Sequence, residues 1–125
     1  MENLNLNYMV ICRNVIAPMF GTVSLDKITD IDRLDLPGGI KDHRALLAFG
    51  VAVLDGESNY ILDFKVILPD GKTDAVDRAA VGKLGNKLIL RGQFDVISKF
   101  SQKGIYVFQA YHEERLLGQY VFEAR

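Results

Sequence analysis

Cys12 is the chain's single cysteine, and His43 and His112 are its two histidines. A nucleophilic cysteine needs a neighbouring base to form its thiolate, and neither histidine is close to Cys12 in sequence. Cys12 ends the apolar run Tyr8-Met9-Val10-Ile11-Cys12, so it reads as a small buried residue on an N-terminal strand. A zinc site needs three or four ligands drawn from His, Cys and carboxylates. Two histidines without close spacing read instead as surface residues. Asp26, Asp30, Asp32 and Asp35 form the densest acidic run, and Asp55, Glu57 and Asp70 come from other turns. Calcium takes several oxygen ligands, often from loops, which makes Asp26, Asp30, Asp32 and Asp70 calcium candidates. Lys27 and Arg33 interrupt the run, the regular alternation of a calcium-binding loop is missing, and acidic residues suit turns for local reasons.

Other chemistries find less support. Glu113 and Glu114 are adjacent, so they would face opposite ways on a strand and water in a turn. Neither arrangement pairs two carboxylates across a cleft. Gly38-Gly39 and Gly82-x-x-Gly85 lack the spacing and the following Lys of a phosphate loop, and no G-x-S-x-G motif is present. Lys83, Lys87, Arg91, Lys99 and Lys103 interleave with aromatic residues, as a single-strand nucleic-acid surface would. Fifteen basic against sixteen acidic residues give a net charge of -1, which argues against a dedicated nucleic-acid binder. The expectation is a non-enzyme with no catalytic residue, no cofactor and no resident metal.

These residues need a scaffold. The chain has 125 residues, 49% apolar and 25% charged. That is one domain's worth, 1–125, with enough apolar material for a core. One cysteine excludes an intrachain disulfide. No apolar run approaches a signal sequence or the roughly 18–20 residues of a membrane span, and the simplest reading is a cytoplasmic protein.

Period-two alternation dominates, the mark of strands with one buried face. It is clearest at Tyr60, Leu62, Phe64, Val66 and Leu68, and it stops at the turn residues Pro69-Asp70-Gly71. The same pattern predicts strands at Leu4 to Val15, Thr22 to Ile31 with a break near Asp26, Leu47 to Val53, Leu88 to Val96, Tyr106 to Ala110 and Leu116 to Ala124. The polar link 112–115 predicts a hairpin between the last two. Asp32 to Arg44, with Pro37-Gly38-Gly39, reads as a loop. Asp74 to Leu84 is the one helix candidate, because Val76, Ala79, Ala80 and Leu84 could share a face. The fold class is therefore all-β: an antiparallel immunoglobulin-like β-sandwich of about seven to nine strands with at most one short helix near 74–84.

The pattern from Phe94 onward reads F-D-V-I-x-x-F-x-x-x-G-I-Y-x-F-x-x-Y-x-x-x-x-L-L-G-x-Y-x-F. Near the N-terminus, Asn7 to Val15 is followed by Gly21-Thr22-Val23-Ser24-Leu25 and Ile28 to Ile31. Together these resemble an uncharacterised family of small bacterial proteins, a domain of unknown function with an immunoglobulin-like layout. The resemblance covers both ends of the chain, and Gln102 or Lys103 stands where such hairpins often carry Pro. It implies a fold and no activity.

Apolar residues on outward faces remain. If Leu62, Phe64 and Val66 point in, Ile61 and Ile67 point out. If Tyr106 and Phe108 point in, Ile105 and Val107 point out, and Ile89 and Val121 behave alike. The opposite face of the third strand reads Leu46, Ala48, Gly50, Ala52, small enough for a close neighbour. A contiguous outward patch usually marks a contact surface. The interface candidates are thus Ile61, Ile67, Ile89, Ile105 and Val107, covered by the 74–84 helix, by a second copy or by an unidentified protein partner. A non-catalytic interaction or structural module using an apolar sheet face or edge is the expected function, with a homodimer favoured. The alternative is a small-ligand or calcium-binding sandwich using loops 26–44 and 69–71.

Overall fold

The computed structural model describes residues 4–16, 23–32, 34–35, 39–40, 45–53, 60–81 and 89–125. Among the described residues each expected alternating segment contributes strand, and the strands assort by which faces they must bury. The elements are β1 (Leu4–Cys12), β2 (Asn14–Ile16), β3 (Ser24–Asp26), β4 (Ile31–Asp32), β5 (Leu34–Asp35), β6 (Gly39–Ile40), β7 (Leu46–Val53), β8 (Tyr60–Ile67), β9 (Thr73–Val81), β10 (Ile89–Asp95), a 3-10 turn (Ile97–Lys99), β11 (Gly104–His112) and β12 (Arg115–Ala124).

Two sheets carry the fold. One has the order β1-β7-β10 and the other β4-β12-β11-β8-β9, while β2-β3 and β5-β6 are two-stranded ribbons. Eight strands therefore form the two main layers. All their pairings are antiparallel except the short parallel contact of β4 with β12. Between the sheets lie Ile11, Leu47, Phe49, Val51, Leu62, Phe64, Val66, Tyr106, Phe108 and Phe122. Burying rows of this kind from two sheets, about 1.5–3 kcal/mol per large side chain, drives the layers together.

Strand β7 is buried on both faces, as the central strand of a covered sheet must be. Its inner row is Leu47, Phe49, Val51 and Val53. Its outer residues Leu46 and Ala48 join Cys12 in a second small cluster, packed by Tyr8, Val15 and Leu25. The small face of this strand is thus covered internally, by the β2-β3 ribbon and by Tyr8. The ring of Tyr8 lies directly on its cross-strand partner Gly50, where a Cβ would overlap Tyr8 Cε1.

The inner face repeats the device. Phe49 opposes Gly92, and a Cβ on Gly92 would meet the Phe49 ring at 2.6 Å. Phe49 cannot yield, because its ring packs on Phe64 at 4.6 Å and on Phe94 at 5.4 Å. Gly92→Ala should therefore cost about 1–3 kcal/mol by overpacking. Urea unfolding checks this, and a shift below the measurement error would mean the ring has room to move.

Two expectations are corrected. Residues 74–81 do not supply a helix: Thr73–Val81 is strand β9, paired with β8 from Ile67↔Thr73 to Tyr60↔Val81, and the remainder of the expected helix, 82–84, lies outside the described residues. A bulge opposite Phe64/Lys65 adds one residue to β9. It changes the alternation, so that Val76 and Ala79, three apart, both pack against the core. Three-residue spacing produced by a bulge imitates a helical face. The second correction concerns 32–44, expected as loop, where β5 and β6 form a short ribbon. The expected hairpin turns hold. Gly71 has φ +88, its N–H donates to the Leu68 carbonyl at 2.9 Å, and the Lys72 N–H donates to Asp70 Oδ1 at 2.9 Å.

Candidate interaction face

The outer face of the five-stranded sheet can be read from the register. Ile105 pairs with Glu123, which pairs with Ile31. The next row runs Val121, Val107, Ile67, Thr73, and the next Gln119, Gln109, Lys65, Ala75. A fourth row holds Leu116, Tyr111 and Asp63. Alternation sends all of these away from the core, because Tyr106, Phe108, Leu62, Phe64, Val66 and Phe122 are buried. Ile31 is 44% exposed, Ile105 48%, Val121 50% and Ile61 56%. Ile67 and Val107 are half-buried by their neighbours.

Two adjacent rows of this face thus carry five aliphatic side chains, Ile31, Ile105, Val121, Val107 and Ile67, with Glu123 between Ile31 and Ile105. The charges within and beside these rows are engaged at the surface. Glu123 is held by Arg125 at 2.9 Å, and Asp63 by Arg78 at 2.6 Å. Lys65 Nζ lies 5.1 Å from the Tyr111 ring centroid, a cation–π contact. Gln109 donates to Gln119 at 3.2 Å and accepts from the Tyr111 hydroxyl at 3.3 Å. Of the expected interface residues, the structure brings Ile67, Ile105 and Val107 together. Ile61 stands on the same face beyond the polar row, opposite Ala80. Ile89 is placed on β10 in the other sheet, and its side chain lies outside the described residues. Reading each strand alone could not separate the two sheets. Val121 and Ile31 complete the patch, and only strand pairing brings them beside Val107 and Ile105, Val121 as the partner of Val107 and Ile31 across Glu123 from Ile105.

The free edge β9 is a poorer contact surface. Its bulge, with Asp74, Asp77 and Arg78 along it, is how natural sheets blunt an edge. Lys99 Nζ pins Asp74 at 2.8 Å, and the Lys99 ammonium holds the Asp74 carboxyl below its usual range.

The other candidate groups do not converge. Asp26 ends β3, Asp30 precedes β4, and Asp70 lies in the β8-β9 turn with an oxygen already accepting from Lys72. In the sheet order β12 and β11 stand between β4 and β8. Among the described residues no group of three or more His, Cys, Asp or Glu could hold a metal ion. The side chains of Asp32 and Asp35, and all of His43, Asp55, Glu57, Lys83 and Lys87, lie outside the described residues. His112 stacks edge-on against Tyr60 at 5.2 Å.

Cys12 is fully buried, and burial first of all pushes its thiol pKa up, so the proton stays on. Since the thiolate is the reactive form, an aromatic disulfide reagent should leave native protein unlabelled and label one thiol per chain in denaturant. Rapid labelling of native protein would show that the β2-β3 ribbon opens readily.

One feature of β11 ties the fold to a class. The Tyr106 hydroxyl donates to the Gln102 carbonyl at 2.7 Å and accepts from the Gln102 N–H at 3.0 Å. A tyrosine near the start of a strand bonding back to backbone a few residues upstream is the tyrosine corner of Greek-key sandwiches. The first, second and fifth long strands share one sheet, and the third, fourth, sixth and seventh the other. Together these define an immunoglobulin-like β-sandwich. Phe108 stands two residues after Tyr106, where antibody domains carry the second cysteine of their inter-sheet disulfide. The chain has only Cys12, on β1.

Solved structures share this layout at low identity. An immunoglobulin-like protein from Pseudomonas aeruginosa matches 99% of this chain and 98% of its own, at 12% identity and a TM-score of 0.50. An alkylpurine DNA glycosylase, AlkC, from Pseudomonas fluorescens, bound to DNA containing an abasic site analog, matches 100% of this chain at 14% identity and a TM-score of 0.56. This chain spans 31% of the glycosylase's length. No family model and no curated protein matches the sequence. The likeness of its terminal motifs to small bacterial proteins thus comes down to the immunoglobulin-like layout.

Proposed function

We propose that this chain is a non-catalytic interaction module that uses the outer face of its five-stranded sheet as the contact surface. The observation carrying this reading is the aliphatic row Val121-Val107-Ile67 with Ile105 and Ile31 in the next row on either side of Glu123, across four strands. Scattered exposed aliphatics are ordinary, but a contiguous patch on a sheet face favours a covering surface. The alternatives within the fold are weaker. Tyr8 and the β2-β3 ribbon pack the outer face of β7, and charge and a bulge blunt the β9 edge. A buried, protonated Cys12 gives no support to nucleophilic chemistry.

Photo-crosslinking in cells tests the reading. A photoreactive residue at Val121 should give crosslinked polypeptide, while one at Gly71 in the exposed turn should give none. Because Val121 is half-exposed, Val121→Lys should leave stability within about 0.5 kcal/mol, so loss of contacts in that variant would not reflect unfolding. Absence of any crosslink at Val121 would overturn the assignment.

A further inference from the structure

Resting on that reading, we infer that the occupant of this face is a second copy of the same chain. An isologous contact requires a surface complementary to itself, so that residue i meets residue j and j meets i. The outer face meets this requirement about Val107. Lys65 is one strand away on β8 and one outward row towards Gln109, while Glu123 is one strand away on β12 and one row the other way. Strand and residue spacings place each about 8 Å from Val107, in opposite directions. The two nearest charges of the face are therefore opposite in sign and symmetric about its apolar centre.

A two-fold axis in the contact plane, through Val107 and perpendicular to the line from Lys65 to Glu123, uses this symmetry. Val107 meets its own counterpart. Lys65 meets Glu123 of the second copy, and Glu123 meets its Lys65. The same operation lays Ile105 beside Ile67 of the second copy, so Val107, Ile105 and Ile67 form the apolar centre of the contact, and Val121 falls beside Gln109 of the second copy at its margin. The strands then cross steeply, near the orthogonal class of sheet packing. Asp63 is neutralised within its own chain by Arg78. Arg125 already binds Glu123, and the carboxylate keeps capacity for a second cation.

Light scattering on a sizing column, over a concentration series, tests the inference. Wild-type protein should run at twice the chain mass, and Ile105→Lys at one chain mass with its circular dichroism unchanged. Lys65→Glu and Glu123→Lys should each weaken association about tenfold or more by setting like charges together. Combining Lys65→Glu with Glu123→Lys should restore it, a recovery that a merely structural role would not produce. A wild-type monomer at every concentration would overturn the inference, as would a dimer indifferent to Ile105→Lys or a double variant no tighter than the singles. If Val121 crosslinks to a different protein while the wild type is monomeric, the face still serves as an interaction surface and only self-pairing falls. No crosslink together with a monomer removes both.

Discussion

Phe100→Ala should lower unfolding free energy by about 3–5 kcal/mol, the cost of deleting a fully buried aromatic ring and leaving part of its space empty. Phe100 belongs to no strand. It follows the 3-10 turn Ile97–Lys99, and its N–H donates to the Ile97 carbonyl at 3.3 Å. That turn delivers the ring onto the inward side chains of the paired strands β11 and β12. Its centroid lies 4.8 Å from Tyr106, 5.9 Å from Phe108 and 4.8 Å from Phe122. Domains of this size have roughly 5–15 kcal/mol in total, so the variant should keep a folded state only marginally or lose it. Phe100→Leu, which keeps most of the volume, should cost about 1.5 kcal/mol or less and so remain measurable if the alanine variant does not fold. A loss below about 1 kcal/mol for Phe100→Ala would mean that the ring is not the keystone its packing implies.

Tyr106→Phe should cost about 1–3 kcal/mol, because it keeps the ring and strips both partners from the Gln102 backbone. Tyr111→Phe is the control. Its hydroxyl reaches Gln109 at 3.3 Å on the outer face, and its loss should fall within about 0.5 kcal/mol. Equal costs in the two variants would remove the corner's special role. The Tyr106 corner also has a pH signature. Burial, the largest cause, raises its hydroxyl pKa above the ordinary value of 10.0, while its backbone bonds oppose the shift. Above about pH 10 the unfolded chain releases the phenolic proton before the folded one does. The folded state then holds more protons, so stability is complete below that pH and falls as pH rises towards the folded value. Tyr8 and Tyr120 are shifted the same way by burial. Tyr106→Phe should therefore shallow the alkaline fall in denaturant midpoint without abolishing it.

The tyrosine corner was within reach of sequence reading. Tyr106 follows Gly104 and precedes buried Phe108 by two, a spacing with a known structural meaning, yet the hydroxyl's partner four residues upstream becomes visible only in three dimensions. β9 shows the opposite case. Its apolar positions 76 and 79 look helical until pairing with β8 exposes the bulge that shifts them.

What the sequence determined alone was everything set by local period and local turn chemistry. Alternation specified which residues of β8, β11 and β12 face inward, since one face must leave water. Pro69-Asp70-Gly71 specified a turn, since Gly71 accepts the positive φ it requires. One cysteine settled the absence of an intrachain disulfide. Tertiary structure decided which strands are neighbours, because hydrogen-bonded pairing joins residues far apart in the chain and leaves no local trace. It put Ile31 two strands from Ile105, sent Ile89 to the other sheet, and laid Tyr8 and a ribbon over the small face of β7. The candidate interaction face is made of such non-local adjacencies, and its residues become one surface only when the sheet forms.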